Sequence, residues 1–425
     1  MPASTITNRR SSLPALVAVA VALFFPRWAS AQTEELTRVP TEELTRARTV
    51  ELVAHAPKAR SNAAQVDVAQ AAVTAAGVTA LENPVLSATG GLRFNEDGSR
   101  PFAGTATLSW PIEIGGKRGT RRDAASAELR EAQSTFDLER RRLLTLALLK
   151  HAEALRAEEA LRIARARKEN AERVLASALK RRQAGSVPQL DVSLATLQLG
   201  RDAASASTAE GHRDAALLEL SALLGLASGK PAQVSGPLVP EGTPPPLEVL
   251  LKQVERSAPV RAAEARLRAA EARMARERSA GAPTLSLLAQ YERDDGANIG
   301  TLGVALPLPI LNANALGKAT SSAEARAARA EYDAVRAATE GELRELYARY
   351  EATRKARDSL LPTGAAVKEA VALAARSYEL GESDLASVLL VHREALEAEQ
   401  ALLEIEHQHA EAKILLFLAA GQVPR

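Results

Sequence analysis

Two kinds of hydrophobic spacing alternate along this chain, and each occurs twice. After Pro84, Leu86, Ala88, Gly90, Leu92 and Phe94 alternate with Ser87, Thr89, Gly91 and Arg93. The turn segment Asn95-Glu96-Asp97-Gly98-Ser99 follows, and then Phe102, Gly104, Ala106, Leu108 and Trp110 alternate with Ala103, Thr105, Thr107 and Ser109. A period of two puts the apolar set on one face of a strand, so the spacing predicts a β-hairpin over 85–111. Roughly 200 residues later, after Pro283, Leu285, Leu287 and Tyr291 face Ser286, Gln290 and Glu292. The turn Asp294-Asp295-Gly296-Ala297-Asn298 leads to Leu302, Val304 and Leu306 against Thr301, Gly303 and Ala305, which predicts a second hairpin over 284–309.

Helical spacing fills the rest. Arg118 to Ala184 contains no proline and a single glycine near its start, and Ala315 to Leu380 is comparable except for Pro362. A continuous helix over the first stretch would extend about 100 Å, far beyond ordinary globular helices. Pro362 is expected to kink the second or change its packing. Each stretch ends at a glycine, Gly185-Ser186-Val187-Pro188 and Gly381-Glu382-Ser383, and helix resumes to about Leu226 and Ala420. These are long helical hairpins with tight tips. Shorter helices precede the strands, from about Glu43 to Leu81 with a disturbance at Pro57, and from about Leu247 to Ala280 with Pro259 in the matching place. Between the copies, Ala227 to Pro246 carries six prolines and reads as an irregular connector; a boundary between independent domains is the alternative. The organisation is therefore two repeats, 32–226 and 247–425, joined by 227–246.

One apolar and one small-polar strand face suit lipid outside and water inside, and each strand has about the 9–11 residues that cross a bilayer when tilted. A half-buried soluble sheet shows the same alternation. Four strands cannot close a barrel, and an open sheet in lipid leaves edge N–H and C=O groups unpaired. The chain is expected to oligomerise; three copies would supply twelve strands, although backbone satisfaction does not fix that number.

Composition narrows the setting. Residues 1–31 read as a secretory signal: Arg9 and Arg10, an apolar run from Leu13 to Phe25 interrupted by Pro14, and Ala29-Ser30-Ala31 before Gln32. A retained anchor is the alternative, for which the run is short. The chain has no cysteine, which excludes disulfides, thiolate metal sites and a lipidated N-terminal cysteine. Net charge is +2 with both signs interspersed, unlike a nucleic-acid footprint. Aromatics are 3% of the residues, so alanine and leucine must make closely packed helices. The hexapeptide Thr33–Arg38 recurs as Thr41–Arg46 and reads as a helix-entry segment or tether.

Taken together, the duplicated helix–hairpin–helix layout resembles the outer-membrane factors of tripartite efflux pumps, the TolC-like family, over essentially all of the mature length. The strings Pro111-Ile112-Glu113-Ile114-Gly115-Gly116-Lys117-Arg118, Leu308-Pro309-Ile310-Leu311-Asn312 and Tyr378-Glu379-Leu380-Gly381-Glu382 carry the resemblance. The first two are most similar to the heavy-metal, CzcC-like branch. The resemblance implies a mainly α fold with a membrane β-barrel: a homotrimer with a twelve-stranded barrel in the outer membrane and an α-helical barrel in the periplasm. It implies a periplasmic adaptor (membrane fusion protein), an inner-membrane pump of the RND type, and passive exit of solutes, heavy-metal cations among them. It places adaptor contacts at Gly185, Ser186, Val187, Gly381, Glu382 and Ser383. It places the entrance constriction at Asp191 and Tyr378, while Ser387 and Leu390 stand where a second acidic ring would be, with Asp384 offset. The lipid-facing set read from the alternation is Leu86, Leu92, Phe94, Phe102, Leu108, Trp110, Leu285, Leu287 and Tyr291, against outer-membrane lipid.

Catalytic chemistry is not expected. His407-Gln408-His409 is the one local histidine pair, and residues two apart on a helix diverge. Gly115-Gly116-Lys117-Arg118-Gly119 lacks phosphate-loop spacing. No cofactor, metal site or nucleic-acid partner is read. A soluble periplasmic coiled-coil scaffold or adaptor is the competing reading, and an exported hydrolase the third.

Overall fold

A computed structural model describes residues 43–226 and 233–424. The expected signal at 1–31 and the first hexapeptide copy lie outside the described residues. So does part of the connector.

The described chain opens with a two-residue strand β1 (Glu43–Leu44), then α1 (Arg46–Val53) and α2 (Pro57–Ala76). Strands β2 (Val85–Leu92) and β3 (Phe102–Glu113) lead into α3 (Lys117–Gln183) and α4 (Gln189–Leu224). After β4 (Gln233–Val234) and α5 (Leu247–Leu251) comes a 3-10 turn at Val254–Arg256, then α6 (Ala258–Ala280). Strands β5 (Thr284–Asp294) and β6 (Ala297–Ala305) precede α7 (Ala315–Leu380) and α8 (Leu385–Ala419). No described helix is long and apolar enough to cross a membrane.

Each proline does what its missing N–H dictates. The stretch expected as one helix over 43–81 is two, because Pro57 starts α2 rather than interrupting it, after a bend at 54–56. Pro259 likewise sits in the first turn of α6. Pro362 leaves α7 unbroken. Only one N–H is lost there, and α8 lies so close that a Cβ on nearby Gly364 would sit 2.9 Å from Leu402.

The four long strands form one antiparallel sheet in the order β2-β3-β5-β6. The register sets Leu86 opposite Leu108, Leu108 opposite Ala289, and Ala289 opposite Leu302. Pro111 pairs with Ser286 of β5 just beyond the last β2 partner, Ser109, so its missing N–H removes no bond on that side. The hairpin β5–β6 turns on Asp295 and Gly296, with φ of 48° and 82°, the two left-handed residues of a tight primed turn. The β2–β3 turn is longer; Ser99 N–H donates to Asp97 Oδ1 at 2.9 Å.

The core is distributed between helices. Small side chains let them approach: α3 buries Ala124, Ala125, Ala127, Ala147, Ala152 and Ala154. At mid-height β1 pairs in parallel with β4. Leu44 is fully buried, its carbonyl lies 2.8 Å from His151 Nε2, and Thr45 caps α1. Arg46 donates to Pro237 O at 2.8 Å and Lys413 to Pro240 O, which ties the connector to both halves.

Candidate functional site

The sheet presents one continuous apolar face. Register and parity put Leu86, Leu92, Phe102, Leu108, Trp110, Leu285, Leu287 and Tyr291 on it, together with Leu302 and Val304 of β6. That face is open: Leu86 is 72% exposed, Trp110 56%, Tyr291 52% and Leu302 89%; the opposite face is half-buried on β3 and β5, while β2 and β6 are exposed on both faces. Phe94, just past β2, is 72% exposed beneath the guanidinium of Arg100, 5.2 Å from its ring centre. A soluble half-buried sheet would hide such a face against helices. Here the opposite face carries Ser87, Thr105, Thr107, Gln290, Glu292 and Thr301. The Phe102 ring lies over the facing pair Gly90 and Gly104, where an added Cβ would come within 2.9 Å of it. A large side chain thus fills the space those glycines leave. The outer edges of β2 and β6 have no strand partner among the described residues.

Strand passes to helix through the Gly115-Gly116 segment. Both glycines take positive φ, 73° and 76°, and set the start of α3. Arg121, one turn on, grips Glu113 with paired contacts of 2.6 and 2.8 Å, and both side chains are nearly buried. Its other nitrogens donate to Ala76 O and Val78 O, closing the end of α2. Asn314, at φ 60°, starts α7 and donates to the Glu277 carboxylate and carbonyl. That hydrogen bond, with help from Arg276, holds the Glu277 carboxyl below its ordinary range. Sequence inspection missed the Arg121 clamp: its partners are remote, and spacing alone gives no sign of them.

The two tips share one backbone solution. Gly185 and Gly381 have φ of 72° and 82°. Ser186 N–H donates to Arg181 O and Glu382 N–H to Ser377 O, both at 2.9 Å, the long bond of a Schellman cap. Ser186, Gly185, Gly381 and Glu382 are exposed and Ser383 half-buried, whereas Val187 is buried and offers no side chain outward. Just behind the tips, Tyr378 is fully buried in a cluster with Val174, Ala178, Val192, Leu385 and Val388, which joins the two helical hairpins. Arg181 lies 4.7 Å over its ring and donates to its carbonyl at 3.0 Å. Burial, and then the charge of Asp191, push the Tyr378 hydroxyl up. The structure thus brings Tyr378 and Asp191 into electrostatic reach of one another and adds Arg181, which carried no signal in the sequence. Asp384 is spoken for: its carboxylate accepts from Ser387 N–H at 2.9 Å and caps α8, which lowers its pKa.

The two neighbouring histidines are engaged separately. His409 Nδ1 lies 3.3 Å from Thr353 Oγ1, with its ring stacked on Tyr350. His407 instead approaches Glu411. Among the described residues no group of three or more His, Asp or Glu side chains is arranged to hold a metal ion.

Residues 50–226 and 250–422 each match the model of the family described as outer membrane efflux protein. The cobalt-zinc-cadmium resistance protein CzcC of Cupriavidus metallidurans is 31% identical over 230 residues, covering 54% of this chain. The chain spans about half, 55%, of that relative's length. Protein CyaE of Bordetella pertussis is 27% identical over 344 residues, 78% of this chain and 73% of that one. In fold the chain is similar to the outer membrane protein VceC of Vibrio cholerae, with a TM-score of 0.73 at 19% identity over 89% of this chain and 96% of that one. Family and fold are those of channel proteins. With its model fitted to both halves, the chain belongs to the outer membrane efflux protein family, whose members stand in the outer membrane and extend into the periplasm.

Proposed function

We propose that three copies of this chain close into a single tube that gives solutes a passive exit across periplasm and outer membrane. One observation carries the reading. A sheet with an exposed apolar face and two unpaired edges continues into helices of 67 and 66 residues, each about 100 Å long. In lipid, every edge N–H and C=O needs a partner, and only closure supplies them all. Twelve strands, four from each copy, leave a water-filled lumen lined by the serine, threonine and glutamine face. Each chain contributes two repeats, 32–226 and 247–425, joined by 227–246. Leu86, Leu92, Phe94, Phe102, Leu108, Trp110, Leu285, Leu287 and Tyr291 face lipid.

The helical end meets a periplasmic adaptor and, through it, an inner-membrane pump of the RND type. Contact is made at Gly185, Ser186, Gly381, Glu382 and Ser383, with Val187 supporting the turn from inside. Asp191 and Tyr378 narrow the entrance. The cargo is divalent metal cations: the relative CzcC is described by its resistance to cobalt, zinc and cadmium. The chain works by being wide and polar inside and needs no tight site for its cargo.

Deleting the gene and plating on cobalt, zinc and cadmium tests the cargo. Tolerance should fall and return with the intact chain; a fall confined to organic drugs reassigns it. Reconstitution in a planar bilayer tests the tube. Discrete conductance steps are expected, and a silent, well-folded preparation sinks the reading.

A further inference from the structure

The polar face of the sheet carries few charges. Parity puts Glu113, Glu292 and Asp294 on it, with Arg93 just past β2. Glu113 is held by Arg121, and Arg93 Nη1 donates to Asp294 Oδ2 at 2.9 Å. Glu292 is left over. Its carboxylate accepts from Gln290 Nε2 at 3.3 Å and forms no ion pair among the described residues. Its ladder neighbours are Thr105 on β3 and Ile299 on β6, neither of them charged. One guanidinium thus serves two carboxylates that stand two residues apart on the same face of β5.

The two ends of the sheet differ in sign. At the turn end, residues 93–100 and 292–295 together carry five carboxylates against three guanidiniums. At the helical end, the start of α3 brings Lys117, Arg118, Arg121 and Arg122 against Glu113 and Asp123. There Lys117 Nζ donates to the Thr284 hydroxyl at 3.0 Å rather than to a carboxylate. Thr284 and Glu292 are eight residues apart on one strand, about 27 Å. Fields in ~0.15 M salt decay over about 8 Å, so neither end neutralises the other.

We propose that Glu292 makes the outer mouth of the tube prefer cations to anions. This rests on the closed-tube reading, in which the polar face lines the lumen, and adds the residue that sorts solutes by charge on their way out. In a ring of three copies, three carboxylates face one another across water. With each ~10 Å from the axis of a twelve-stranded barrel in ~0.1 M salt, they enrich a monovalent cation about two-fold and a divalent one about four-fold. Anions are depleted in proportion. A field of that size biases traffic without holding a cation in place, which suits a conduit. Arg93 cannot cancel it, because Asp294 already engages that guanidinium.

The zero-current potential of the reconstituted full chain, measured across a potassium chloride gradient at low salt, tests this. Glu292→Gln should move it toward the chloride side, the potassium-to-chloride permeability ratio falling about two-fold, while Glu292→Asp keeps it in place. Thr105→Lys sets an ammonium directly across the ladder from Glu292 and should give the same shift. It leaves the Gln290–Glu292 hydrogen bond intact, and it carries the test if Glu292→Gln fails to fold. In ~1 M salt, where fields reach only about 3 Å, the differences should vanish. Channels of ordinary conductance whose zero-current potential neither substitution moves overturn the role of Glu292 and leave the tube standing. A shift that persists undiminished in ~1 M salt overturns it too, because shape rather than charge would then be the cause. An intact chain that makes no channels overturns the tube and this inference with it.

Discussion

Sheet and helices dispose of their apolar residues in opposite ways. The helices turn alanines inward, so that ten of the 17 buried residues of α3 are alanine, and cover their length with ion pairs such as Arg165–Glu210 and Arg266–Glu331. The sheet puts leucines and aromatics outward and threonines on the other side. One chain cannot have two rules for burial unless it has two solvents. In the proposed tube water surrounds the helices, and lipid takes the outer face of the strands.

The largest effect should come from exchanging the two faces. Leu108→Arg places a charge near the middle of the apolar face, at a cost of about 2–4 kcal/mol per copy if lipid lies there. The chain should vanish from outer-membrane fractions, while Thr107→Arg, one residue away on the polar face, should accumulate normally. Equal tolerance of both would break the contrast.

Next comes the junction where the two rules meet. Arg121→Ala strands the nearly buried Glu113 carboxylate and should cost about 3 kcal/mol. Thermal unfolding should report the loss, and adding Glu113→Gln should restore part of it. Smaller still is the tip. Gly381→Val forces a β-branched side chain into φ 82° and should cost about 1–2 kcal/mol locally. Adaptor capture should fall while outer-membrane levels hold; unchanged capture and unchanged metal tolerance would remove the tip from the contact.

The smallest effect is a pH dependence confined to the helices. Burial, with Lys413 and Arg357 adding to it, brings His409 down to about 4. A histidine neutral in the fold and basic when unfolded takes up more protons in the unfolded chain, so stability is full above about pH 6.5 and drains away as pH falls towards 4. Between pH 7 and 5 the Tm should drop by roughly 2–4 °C, and His409→Gln should flatten that slope.

Much of this was legible because it rests on local rules. Strand parity could be counted from Leu86 to Val304, and Gly185 and Gly381 announced turns that only glycine makes cheaply. The rest depends on what comes near. Nothing around Pro57 says that it begins a helix rather than disturbing one, and nothing in Pro362 says that its helix will hold. The β1–β4 ladder joins segments 190 residues apart through two residues each, too short to show a pattern. Val187 reads as a tip residue and is buried, just before the extended Pro188 that leads into α4. Asp384 reads as a spare acid near the entrance. Its spacing to Ser387 is that of a helix cap, and capping is what it does.

The turn at Asp295 and Gly296 carries a consequence for traffic. At the far end of the sheet the chain doubles back over two residues in one hairpin and nine in the other. That leaves too little polypeptide to fold across an opening as a lid. In the proposed tube a mouth so bare would stay uncovered, and control over leakage would fall to the other end, beyond about 100 Å of helix.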